Sequence, residues 1–113
     1  MKANQGQRLR RCKEFEVNQS RLRAHQIETM IAEFDRICID LGRQIEAEEM
    51  RVRIADPSHF AYPTFAKAAR DRRAKLQQSA AALRIELDML RATLSEANEP
   101  ADWQFAPAAS VAA

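Results

Sequence analysis

"RIADPSHFAYPTFAKAA", residues 53–69, breaks a chain that otherwise reads as two long helices. Two prolines and three aromatic residues crowd between Pro57 and Phe65. Asp56-Pro57 has the form of an N-cap followed by proline at a first helical position, which predicts one short turn there. Tyr62 precedes Pro63 and is biased towards extended backbone. Pro63 can then open a second helix without losing a hydrogen bond, because the first N–H groups of a helix have no partner inside it.

Working outward, both flanks are helical. The 113 residues are 30% charged and only 6% aromatic, with 2 glycines. A sheet-rich fold needs more turn residues and more β-branched or aromatic side chains. Dominance of Ala, Glu, Leu, Arg and Gln points to long helices or a coiled coil. On the N-terminal side a series of mostly apolar or small residues runs through Val17, Ser20, Ala24, Ile27, Ile31, Phe34, Cys38, Leu41, Ile45, Glu48 and Val52, with the charged Glu48 as its exception. On the C-terminal side a like series runs through Ala66, Ala69, Arg73, Leu76, Ala80, Leu83, Leu87, Leu90, Leu94 and Ala97, with Arg73 as its exception. Steps alternating between three and four are the period of a left-handed coiled coil. Two such stripes joined by a short link face each other most simply as an antiparallel pair.

The expected fold is therefore all-α, a long antiparallel two-helix coiled-coil hairpin over residues 1–99. Helix one covers about 7–53, the connector 54–62 and helix two about 63–98. The helices would be about 70 Å and 54 Å long. Pro100 ends the second, and the Ala/Pro-rich run 100–113 is expected to be a disordered tail.

Charge supports the folding-back. Residues 1–23 carry seven bases against two acids, residues 28–50 seven acids against two bases, and residues 64–75 five bases against one acid. Doubling back near Ser58 brings the acidic half of helix one to the basic start of helix two, with Glu49 near Lys67, Glu46 near Arg70 and Arg43 near Arg73. Glu96 and Glu99 would approach Arg21 and Arg23. A parallel homodimer of helix one would stack its acidic block on itself. Exposed pairs of this kind set orientation more than stability.

The chemistry of the side chains excludes more than it suggests. Cys12, His25 and Cys38 follow one another at intervals of 13 residues. On a helix that spacing is about 20 Å, whereas zinc ligands lie about 2.0–2.3 Å from one ion. No metal site and no cofactor is expected. Cys38 belongs to the seam, and Cys12 reads as a surface thiol. No Gly-rich phosphate loop and no nucleophile motif is present, so the chain is not expected to be an enzyme. His25 and His59 read as structural or surface residues. Arg8, Arg10 and Arg11 make a basic start, but Glu14 and Glu16 interrupt it and no aromatics are interleaved for stacking on bases, so nucleic acid is not an expected partner. The N-terminus has no signal-peptide core, and no apolar run approaches the roughly 20 residues that span a bilayer. A cytoplasmic protein without direct membrane insertion is expected.

Protein binding remains. Ordering costs about 1.5 kcal/mol per residue, which roughly matches what one stripe per helix can bury, so a lone hairpin gains from a partner. Large apolar residues also fall off the seam. Ile85 and Met89 share the outer face of helix two, Phe15 and Leu22 one outer face of helix one, and Ile39 and Met50 another. Phe60, Tyr62 and Phe65 sit at the bend, where they either cover the open end of the seam or anchor a partner. A monomer or weak homo-oligomer is expected.

Several stretches resemble the flagellar export protein FliJ family, as found in alphaproteobacteria: "RLRRCKEFEV" (8–17), "HQIETMIAEFDRI" (25–37), "LGRQIEAEE" (41–49), "RRAKLQQSAAAL" (72–83) and, most specifically, "DPSHFAYPTFAKAA" (56–69). The resemblance implies a component of the flagellar type III protein export apparatus, located in the cytoplasm at the periphery of the flagellar basal body. Members are antiparallel hairpins that look like the rotor stalk of rotary ATPases. They engage the export ATPase ring, contact the export-gate membrane protein and recycle export chaperones, without catalysis. In that family the second helix continues past the position of Ala97, where this chain meets Pro100. The basic segment with Arg8, Arg10 and Arg11 is then what remains to engage the ring. A different expectation for the same residues is a general cytosolic coiled-coil chaperone or scaffold that shields an amphipathic partner helix.

Overall fold

The computed structural model describes residues 2–97. The run 100–113, expected to be a disordered tail, lies outside them, as do Asn98 and Glu99. The protein is an all-α helical hairpin of two elements, α1 (Lys2–Val52) and α2 (Thr64–Ala97). Helix α1 begins earlier than the expected residue 7. The stripe supports helix only from Val17 on, but nothing in residues 2–16 opposes it: they contain no proline, and the one glycine, Gly6, has open space around it.

The break between the helices has a local cause. Arg53 takes a left-handed conformation with φ 61°, and the Ile54 N–H donates to the Glu49 carbonyl at 3.2 Å. That bond, from the second residue past the helix end to the fourth-last helical carbonyl, is the Schellman closure. Two turns follow in place of the single one expected. His59 N–H donates to the Asp56 carbonyl and Tyr62 N–H to the His59 carbonyl, each at 3.0 Å. Pro63 then acts as the cap rather than as the first helical residue, its carbonyl accepting the Lys67 N–H at 3.0 Å.

The chain divides into two compact units: Glu28–Arg84, and Met1–Ile27 with Ile85–Ala113. Each contains parts of both helices. In the first, Leu41, Ile45 and Ala69 form a buried cluster against which Ile37 and Leu76 pack, and Ala66, Ala80 and Tyr62 are buried as well. In the second, Ala24, Ile27 and Leu87 are buried, Ile27 completely. Every residue of the two sequence stripes is buried or half-buried except Ala97. The heptad pattern therefore identified the apolar seam on both helices.

Taking Val17 as heptad position a and Ser20 as d, the flanking positions e and g follow. In an antiparallel pair e meets e and g meets g, because reversing one helix exchanges its two sides. Glu49–Arg70 at 2.8 Å and Asp35–Arg84 at 2.6 Å are e–e pairs in the first unit. Arg23–Glu86 at 2.9 Å is a g–g pair in the second. These replace the partners expected from height along the helices alone. Lys67 and Glu46 are at outward b positions, so Glu49 takes Arg70 instead; Arg43 lies within 3.9 Å of Asp40 on its own helix. Arg23 takes Glu86, not Glu96. Equal height is insufficient, since paired charges must also lie on the same side of the seam.

Candidate interaction surface

The connector is held by its own polar atoms. The Asp56 carboxylate accepts the Ser58 N–H at 3.0 Å and the Ser58 hydroxyl at 2.7 Å, and those bonds hold its pKa below the usual carboxylate range. His59 Nδ1 accepts the Ala61 N–H at 2.9 Å, which leaves the ring proton on Nε2. The imidazole stacks on the Phe60 ring, centroids 4.8 Å apart and planes 20° from parallel.

The three aromatics of the bend part company. Phe60 is 97% exposed and Phe65 is exposed, but Tyr62 is only 8% exposed. The expectation that Tyr62 offers a partner-binding face is corrected here, because its ring covers the seam. Sequence carried the signal: Tyr62 lies four residues before Ala66 and so extends the second stripe by one step.

The tyrosine hydroxyl completes a three-sided clasp. It donates to Glu49 Oε2 at 2.6 Å and accepts from Arg70 Nε at 2.7 Å, while Arg70 Nη2 donates to the same Glu49 oxygen at 2.8 Å. Hydrogen bonds from Arg70, then from Tyr62, push the Glu49 carboxyl pKa down. Burial, aided by the Glu49 bond, pushes the phenol up. The same two partners, Glu49 first, raise the Arg70 guanidinium. Each polar end satisfies another, so the clasp joins α1, the connector and α2 within one unit. Sequence reading missed it because attention to the a and d stripe passes over e positions.

On the helices, Phe15, Leu22, Ile39, Met50, Ile85 and Met89 are all exposed, as their off-seam positions imply, and Leu9 and Met30 join them. Arg8, Arg10 and Arg11 are exposed too. They do not act as one cluster: Arg8 and Arg11 lie on the outward side with Phe15, and Arg10 lies on the seam side. In the unit holding the N-terminal half of α1, Val17, Ser20, Leu94 and Ala97 line an open groove of about 510 Å³. Ser20 and Ala97 are too small to fill the seam there.

The cysteines are free, Cys12 exposed and Cys38 half-buried, with the Cys38 thiol 3.8 Å from the Arg73 carbonyl. Among the described residues no group of three or more His, Cys, Asp or Glu side chains is placed to hold a metal ion. No helix among them is long and apolar enough to cross a membrane. No family model, no curated protein and no solved structure matches the chain.

Proposed function

We propose that this chain is a non-enzymatic coiled-coil stalk or adaptor of the flagellar type III protein export apparatus, linking the export ATPase ring to the export gate and its chaperones at the basal body. The resemblance of residues 8–97 to the FliJ family motivates the reading. The observation that carries it is Phe60: an aromatic ring 97% exposed on a connector braced by two turns and an aspartate side chain. The braced backbone presents the Phe60 ring outward, and aromatic side chains anchor interfaces with little loss of side-chain freedom. The clasp behind the bend supports this, because it holds Tyr62 in the seam and leaves Phe60 to the outside.

The test is capture of the purified export ATPase and of the cytosolic part of the export gate on the immobilised full chain. Both are expected to be retained, and Phe60→Ala is expected to release the gate without altering helicity. Retention of neither would exclude the export role.

A further inference from the structure

Residues 8–22 of α1 carry a second stripe, opposite in direction to the seam. At about 100° per residue, Arg8, Arg11, Phe15, Gln19 and Leu22 fall within an arc of about 80°. Phe15 is 64% exposed and Leu22 52%. Glu14 and Glu16, the acids of this segment, point about 100° away on either side of Phe15, so no carboxylate interrupts the arc. Neither Arg8 nor Arg11 has an ion-pair partner among the described residues.

We infer that this face docks an acidic amphipathic helix of a partner protein. Its occupant follows from charge and spacing together. Arg8 lies seven residues before Phe15 and Arg11 four, so both cations sit at one end of an apolar patch that continues to Leu22. A complementary helix presents apolar side chains at a three-to-four spacing and carboxylates in one terminal turn. A second copy laid antiparallel on the same face sets each basic end against the neutral Leu22 end and gives the arginines no carboxylate. A polyanion such as nucleic acid would neutralise the arginines but leave Phe15 and Leu22 in water. Arg8 to Leu22 spans about 21 Å, or four turns, which sets the length of the bound segment. The inference deepens the adaptor reading, on which it rests only in treating the chain as a binder of proteins.

The experiment uses the full chain and a synthetic peptide of about 18 residues, five turns and so one turn longer than the face. The peptide has leucines at alternating steps of three and four and three glutamates in its last turn. A control peptide has glutamine in place of each glutamate. In fluorescence anisotropy the glutamate peptide is expected to bind at least about tenfold more tightly than the control, with the difference shrinking as salt is raised. Arg8→Glu with Arg11→Glu should reverse the preference, and Phe15→Glu should weaken both peptides with circular dichroism unchanged. Equal binding of the two peptides, or no response to the arginine reversals, overturns the inference. So does tighter binding of a single-stranded oligonucleotide or of phosphatidylserine vesicles, which would make the face a polyanion site. Self-association in analytical ultracentrifugation that Phe15→Glu abolishes would assign it to a second copy instead. The export role fails separately, if the native chain retains neither the ATPase nor the gate; Phe60→Ala probes the gate contact without touching α1.

Discussion

Arg70 and Glu49 meet at 2.8 Å across the two helices, and the Tyr62 hydroxyl bonds to both. A residue of the bend is thereby tied to each helix it separates. The arrangement makes the hairpin's closed end sensitive to pH in both directions. Glu49 has a lower pKa folded than unfolded, and Glu48, bonded to Arg51, and Asp56 shift the same way. Their contribution is complete above the ordinary carboxylate value of about 4 and is lost as pH falls through the lowered ones. Tyr62 has a raised pKa, so its contribution is complete below about 10 and is lost as pH rises through the folded value. Thermal melts followed by circular dichroism should show the midpoint falling on acidification below that carboxylate range and again in strong alkali. Glu49→Gln should flatten the acid limb, and Tyr62→Phe the alkaline one.

Arg53 should be improvable. A side chain at φ 61° meets steric resistance that glycine avoids, and the Schellman closure is most often made by glycine. Arg53→Gly is expected to stabilise the protein by about 0.5–1 kcal/mol, after allowing for the greater freedom of glycine in the unfolded chain. An unchanged or lower melting temperature would mean that the Arg53 side chain contributes more than its backbone strain costs.

Gly42 lies within α1, where glycine costs up to about 1 kcal/mol relative to alanine. A β-carbon there would stand 3.3 Å from Nη1 of Arg73. That atom is the far end of a long flexible side chain and can retreat by a few tenths of an ångström. Gly42→Ala should therefore stabilise by about 0.5 kcal/mol. A destabilisation would show that Arg73 is held in place at the seam more firmly than its half-buried position implies.

Ile85→Glu with Met89→Glu tests which side of α2 is free. Both residues are exposed, so helical content and melting temperature should change little, while binding of partners that use this face should weaken. Loss of helix on substitution would place them in a buried contact instead.

Ile27→Ala sets the opposite standard. Ile27 is the largest completely buried side chain among the described residues, and its truncation should cost about 2–5 kcal/mol, enough to unfold much of a hairpin with so small a core. The measurement is the loss of ellipticity at room temperature.

Sequence by itself determined the helices, the seam and the place of the bend. A three-to-four repeat of apolar side chains can be buried only along one stripe, and Pro57 and Pro63 cannot lie within one continuous helix. Tertiary structure decided which charges pair and which aromatic is left outside. Glu49 could have met Lys67 or Arg70 by height alone. Only the side of the seam on which each side chain emerges selects Arg70, and that depends on where the two turns after Arg53 set α2 against α1. The same placement sinks Tyr62 into the seam and leaves Phe60 in water, a difference of two positions that composition does not express.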